Sequence, residues 1–514
     1  MPTKTDQRLF IRQGMLPGAL AGLVGGLVFG AAMFRLGVLP TIASLVRADT
    51  VGIGFAVHMA IAAVIGAGFG LIAWHQRPAA GEMLFWGLAY GALWWFLGPL
   101  TLLPLFLGQQ VVWTLDTAQA AFPSLLGHLW YGAITALAYA VLRRAFGLDR
   151  AGDKDPHEQS THRPVWPALL RGGLAGLLAA WLLGLLLDAQ GELLAFSSAM
   201  MGMDSLPLVW GLLIATGVLA GVGFAALYPQ SLDSTGAGLI RGTVYGFAWW
   251  VAGALTLLPL LYSGDLAWSL EEAQLAFAYL AGFVLFGAGM VLLYRIFTGL
   301  VGALFGDIRL DDEQEGIGSR GLQALGRGAL AGIVGGLLFT VVMVQIGFLP
   351  TVAQLVGGTS SFTGLVVHLI ISILIGASYG VLFQRQSYDT GSALGWGVSY
   401  GVLWWVLGPL TLLPILLGAP PQWNIDRAMA TVPSLIGHIL YGVGLALIFF
   451  ALEARYNPWW LPRRQTEAER SQRRREQLFT ASPAVWVMII VIALTLSVIV
   501  STQGLVPQGG SYGY

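Results

Sequence analysis

The sequence predicts an all-α polytopic membrane protein: three tandem parallel four-helix repeats in a pseudo-threefold plan, then a C-terminal thirteenth transmembrane helix. Three observations predict it. Of 514 residues, 56% are hydrophobic and only 10% charged, where a soluble domain carries about a quarter. Thirteen apolar stretches reach the roughly 20 residues a helix needs to cross the hydrocarbon core. Blocks of the chain recur at intervals of 155 and 310 residues.

The same composition excludes several functions. With no cysteine there are no disulfides, thiolate metal sites or cysteine nucleophiles. Lys+Arg and Asp+Glu balance at 26 each, so no net charge recruits nucleic acid. No phosphate loop or nucleophile constellation is present, and no soluble domain is there to hold one.

The expected spans lie near 15–36, 52–74, 83–107, 119–142, 168–187, 206–228, 238–262, 272–297, 325–345, 363–383, 392–417, 429–452 and 482–502. The first follows a polar stretch with Lys4, Arg8 and Arg12 and reads as a helix, not a cleaved signal. With a cytoplasmic N-terminus, all of the 26 Lys and Arg except Arg35, Arg47 and Arg427 fall on the cytoplasmic side. The positive-inside bias therefore sets that orientation, in the cell's inner membrane. An odd span count leaves the C-terminus outside. Arg463, Arg464, Arg470 and Arg473 to Arg475 are placed to meet anionic headgroups of the bilayer.

Repetition divides the chain further. Residues 84–104 and 394–414 match at 16 of 21 positions, both ending Leu-Gly-Pro-Leu-Thr-Leu-Leu-Pro. Leu39-Pro40-Thr41 recurs as Leu349-Pro350-Thr351, and Pro123-Ser124-Leu125 as Pro433-Ser434-Leu435. A weaker middle copy carries Tyr245, Trp249, Trp250, Thr256 and Pro259 for Tyr90, Trp94, Trp95, Thr101 and Pro104. The expected division is repeat 1 over 1–144, linker 145–166, repeat 2 over 167–297, linker 298–324 and repeat 3 over 325–454. A basic cytoplasmic segment, 455–481, then leads to the span 482–502 and an outer tail, 503–514. Each repeat has an even helix number, so all enter the membrane in the same sense, related by an axis along its normal.

In the third helix of a repeat, Pro99 and Pro104 remove backbone donors that lipid cannot replace. Neighbouring helices or Thr101 must serve the freed carbonyls. Trp94 and Trp95 lie deep in the span, away from the interface where Trp is usual. Glycines four apart, such as Gly66 and Gly70 or Gly376 and Gly380, allow close helix approach.

The histidines are the sharpest signal. His75, His157 and His162 fall in cytoplasmic loops, while His58, His128, His368 and His438 lie within spans. At 1.5 Å per residue, His58 is roughly 10 Å and His128 roughly 15 Å from the outer helix ends. In the middle copy their places are taken by Leu213 and Phe283. Ionisable residues inside a span are functional candidates, against the plainer role of a neutral imidazole bridging two helices. No intramembrane carboxylate accompanies them, because Asp116, Glu271 and Asp426 lie at outer helix ends. That favours a neutral-ligand cofactor such as haem over a hard cation.

Three arcs of four helices with histidines on helices 2 and 10 resemble subunit I of the haem–copper oxidases. The resemblance implies a low-spin haem b with His58 and His368 as axial ligands, and leaves His128 and His438 without a carried-over role. The copper-site His-Pro-Glu-Val-Tyr and His-His motifs are missing, and Val366 stands at the high-spin haem ligand position. A terminal oxidase is thereby excluded. The Gly-Pro-Leu-Thr-Leu-Leu-Pro and Gly-His-x-x-Tyr-Gly patterns also look like those of multi-pass bacterial membrane proteins without an assigned function.

Three readings follow. The first is a haem-binding, electron-transfer subunit beside a respiratory complex, with no catalytic activity alone and a possible quinone partner. The second is a transporter or channel for a small solute or metal ion, in which case the same four histidines are the metal candidates. The third is a cofactor-free structural subunit of a membrane complex, packed on partners through its thirteenth helix and basic segment.

Overall fold

The computed structural model describes residues 14–74, 80–146, 165–228, 235–305, 317–383 and 390–455, with Gln386 and Ile490 besides. His75, His157 and His162, the basic segment beyond Arg455, the expected span 482–502 apart from Ile490, and 503–514 lie outside the described residues. Among the described residues every regular element is helical, and twelve helices are long and apolar enough to cross a membrane.

The first quartet is α1 (Leu16–Arg35), α2 (Val51–Ala73), α3 (Ala80–Leu97) and α4 (Phe122–Ala145). The middle quartet is α5 (Val165–Ala189), α6 (Leu206–Leu227), α7 (Thr235–Trp249) and α8 (Phe277–Phe305). The last is α9 (Ile317–Gln345), α10 (Ser361–Phe383), α11 (Thr390–Leu407) and α12 (Val432–Arg455). Proline opens α1, α4 and α6 within the first two positions, where its missing N–H leaves no hydrogen bond unmade. Thr50 caps α2 by accepting from the Ile53 amide. Short helices such as Leu39–Ala43, Leu115–Ala120 and Glu192–Met201 all lie in odd-to-even connections, hence at one end of the molecule. We call this the short-helix end and the opposite one the linker end. Helices α8 and α9 run on through 298–305 and 317–324, into the expected linker, because intrahelical hydrogen bonds hold in water as in lipid and no proline interrupts either stretch.

Within each quartet the first helix packs on the second and fourth, and the fourth on the third. Glycine makes this packing close. A Cβ on Gly66 would sit 2.4 Å from the Gly18 carbonyl oxygen of α1, and one on Gly376 2.4 Å from that of Gly328. Any side chain there would push the helices apart. Between quartets, α3 meets α6, α7 meets α10 and α11, and α8 meets α11. The middle quartet is thus flanked on both sides. Its α8 is the most enclosed span, while α2 and α10 are the least and turn apolar residues such as Val64, Ile72, Phe362 and Leu374 outward.

The third helix of every quartet widens into a π segment: Gly98–Leu102 after α3, Trp250–Leu257 after α7 and Gly408–Leu412 after α11. The threonine hydroxyl donates to the carbonyl five residues back, Thr101 to Phe96 at 2.8 Å, Thr256 to Val251 at 2.7 Å and Thr411 to Val406 at 2.8 Å. These are not the carbonyls that the prolines free: Pro259 and Pro414 leave the Leu255 and Leu410 carbonyls, four residues back, and these accept from the Ala267 and Gln422 amides at 3.1 and 2.8 Å. Ala254 stands where the outer quartets have Pro99 and Pro409, yet the π segment still forms. The first proline is therefore not required, while the glycine, the threonine and the second proline are common to all three segments.

Candidate functional site

The histidines sit on the packed side of their helices. His58 on α2 and His368 on α10 are buried, and the Nε2 of each lies 3.0 Å from a carbonyl of the preceding helix, Gly26 on α1 and Gly336 on α9. A carbonyl only accepts, so Nε2 carries the proton and donates. His128 on α4 and His438 on α12 use the other nitrogen. Their Nδ1 donates to the Ser124 and Ser434 carbonyls one turn back, at 2.7 and 2.8 Å. Their Nε2 faces the backbone of Gly98 and Gly408, at the start of the π segment.

A phenylalanine joins each pair. The Phe29 ring of α1 lies edge-on to His58 at 5.4 Å and contacts His128 at 4.9 Å between centroids. Phe339 repeats this with His368 at 5.2 Å and His438 at 4.6 Å. Phe29 fits against α4 because residue 127 is glycine, where a Cβ would fall 1.9 Å from the ring. His58 is thus brought together with His128 in its own quartet. No contact joins it to His368 among the described residues.

The arrangement does not fit a haem held between His58 and His368. The two ligands sit in different quartets, each with its Nε2 spent on a neighbouring helix. Phe29 and Phe339 fill the space between the histidines that do approach each other. In the middle quartet the corresponding positions, Leu213 and Phe283, instead line a cavity of about 30 Å³ with Val209, Thr216, Ala254 and Tyr279. Pockets for small organic ligands run to about 300–1,000 Å³, so this one takes no ring system. Among the described residues no group of three or more metal-ligating side chains converges.

One buried charged group escaped the sequence reading. Glu82 at the start of α3 and Arg241 in α7 are both buried, with Arg241 Nε 2.8 Å from Glu82 Oε1. The Tyr228 hydroxyl, just past α6, donates to the same oxygen at 3.2 Å, and the guanidinium stacks over its ring at 5.7 Å. This cluster fastens the first quartet to the middle one at the linker end. The signal was present: Arg241 falls inside the expected span 238–262, and Glu82 borders 83–107.

Tryptophans complete the frame. Trp95, Trp250 and Trp405 donate Nε1–H to the Ala121, Ala276 and Thr431 carbonyls at 2.8, 2.9 and 3.0 Å. Trp113, Trp268 and Trp423 donate to the π-segment threonines at 3.3, 3.0 and 2.9 Å. Every partner pair recurs at steps of 155 residues. Trp95, Trp250 and Trp405 are tolerated deep in their spans because each N–H finds a protein acceptor. Comparison with protein-family models, curated proteins and solved structures returns no match for this chain.

Proposed function

We propose that this chain is a cofactor-free structural subunit of a membrane complex, working through contacts with lipid and partner subunits. In this reading it is built of three tandem parallel copies of a four-helix unit, with residues 482–502 as a thirteenth span. Its N-terminus lies in the cytoplasm and its C-terminus outside the inner membrane, as the basic residues direct. The carrying observation is that each of the four histidines within spans spends its N–H on a backbone carbonyl and packs on a phenylalanine ring. His58 and His368 tie adjacent helices, and His128 and His438 hold their rings against the π segment. Such bonds contribute about a kcal/mol or less apiece in a membrane.

The transporter or channel reading draws less support: the four histidines hold backbone carbonyls, and Glu82, Arg241 and Tyr228 hold one another, so these groups are engaged in holding helices together. The haem reading needs Phe29 or Phe339 to leave its glycine seat. A reduced-minus-oxidised spectrum with metal analysis, on protein purified from haem-replete cells, separates the proposals. We expect no α band, and a His58→Leu variant that loses stability alone. Stoichiometric haem that disappears in His58→Ala would overturn the structural reading and restore electron transfer.

A further inference from the structure

The two seams of the middle quartet are built alike at the short-helix end. Arg35, the last residue of α1, donates from Nη1 to the Gly264 carbonyl of the next quartet at 2.5 Å. Gln190, which follows α5 at the equivalent position 155 residues on, accepts from the Trp423 amide of the last quartet at 3.2 Å. Each seam also buries the tryptophan beside the receiving π segment and a residue of the giving quartet's fourth helix. Trp268 and Trp423 are 2% and 1% exposed, and Leu126 and Ala281 are 1% and 3% exposed.

The outer quartets each carry one half of the same seam, uncovered. On the first quartet Trp113, equivalent to Trp268 and Trp423, is 64% exposed. Phe96 beside it is 36% exposed, where Val251 and Val406 are 3% and 4%. On the last quartet Ile436, equivalent to Leu126 and Ala281, is 53% exposed, and Gln345 ends α9 at the position that Arg35 and Gln190 hold in the two formed seams. One half lacks its giver and the other its receiver.

We infer that these two faces are complementary and that a second copy of this chain docks head to tail, its Trp113 face on the first copy's Gln345–Ile436 face. The inference rests on the three-copy reading above. What commits it to a second copy is continuity: the internal seams already show this giving face seated on this receiving face twice. In the docked pair Gln345 reaches the loop after the partner's α3, around Gln109 to Trp113, and Ile436 is covered. A contact of this heterologous kind generates a closed ring or an open row of copies, according to the rotation it imposes.

The absence of native cysteine makes the test clean. Gln345→Cys and Gln109→Cys are placed on separate copies, co-expressed and oxidised in native membranes. We expect a species of doubled mass, and a ladder when both cysteines share one chain. Ile436→Trp, which overpacks the seam, should cut the cross-linked fraction about tenfold, while Ile61→Trp on the outward face of α2 leaves it unchanged. The inference is overturned by three results: no doubled species although both cysteines react with a maleimide; a link confined within one chain, meaning that three quartets close on themselves; or capture of Gln109→Cys by Ser497→Cys of the same chain, meaning that the last apolar segment covers this face. Arg35→Cys with Asp265→Cys, across an internal seam, is the control. If it links and the outer pair does not, the three-copy reading stands and the docking falls; if neither links, the seam itself fails.

Discussion

The middle quartet is fastened to its two neighbours by the same geometry and opposite chemistry. Toward the first quartet, Glu82, Tyr228 and Arg241 form a buried ion pair under an aromatic ring. Toward the last, the residues 155 positions on are Ala237, Phe383 and Trp396, a set without a charge; the Phe383 and Trp396 rings lie 5.5 Å apart within the last quartet, and the Phe383 ring faces Gly236 of the middle one. Both seams use a glycine for close approach: a Cβ on Gly81 would meet the Tyr228 ring at 2.3 Å, and one on Gly236 the Leu382 carbonyl at 2.5 Å. The difference teaches that backbone proximity is the constant and charge the variable. A buried ion pair contributes little net stability over well-packed apolar groups, yet breaking one half is costly. What such a pair supplies is a preference for a charged partner over an apolar one at this seam.

The comparison breaks or sharpens through four measurements, of decreasing effect. Glu82→Ala strands the Arg241 guanidinium, and we expect about 3–5 kcal/mol of lost stability on unfolding in mild detergent. A loss no larger than that of Ser392→Ala, the equivalent residue of the last quartet, would remove the charged seam's distinction. Converting the whole cluster, Glu82→Ala with Tyr228→Phe and Arg241→Trp, copies the apolar seam, and should be neutral or stabilising by about 1–4 kcal/mol. A triple variant worse than Glu82→Ala alone would show that the two seams are not interchangeable. His58→Leu copies the middle quartet and should cost about 1 kcal/mol or less through the lost bond to Gly26, with the unfolding midpoint as readout.

The smallest effect concerns pH. Burial raises the Glu192 carboxyl above its ordinary value, in the connection between α5 and α6. A folded value above the unfolded one favours the protonated acid in the folded state. Its contribution is therefore complete below the ordinary carboxylate range and is lost as pH rises through the raised value. Glu192→Gln should flatten that acid-side slope of the unfolding midpoint, and an unchanged slope would assign it to another carboxylate.

Much of the fold was legible before any coordinates. Twelve of the expected spans coincide with helices, with ends that differ by a few residues or, at α8 and α9, by two turns. The expectation that Thr101 serves a carbonyl freed by a proline was misplaced: its hydroxyl bonds to Phe96, a carbonyl that neither Pro99 nor Pro104 would have served. The glycines at 66, 70, 376 and 380 sit where helices touch. The site was less legible. Four histidines were found by being polar inside apolar spans, but their pairing was open, and the phenylalanine between them was invisible because a phenylalanine in a membrane span signals nothing. Arg241 and Glu82 were overlooked because each lies near a span end, where a charge is ordinary unless its partner is known.

The sequence by itself determined the lipid environment and the approximate positions of twelve spans. These are local or compositional properties: run length and the scarcity of charge. Only the tertiary structure decided that His58 meets Phe29 and His128 within one quartet, that Glu82 finds Arg241 across a seam, and that Trp113 and Ile436 stay uncovered while their equivalents are buried. In water an amphipathic stripe announces which face of a helix goes inside. In lipid every face is apolar, so the choice of neighbour falls to shape, to glycine seats and to a few polar bonds whose two ends lie far apart in the chain.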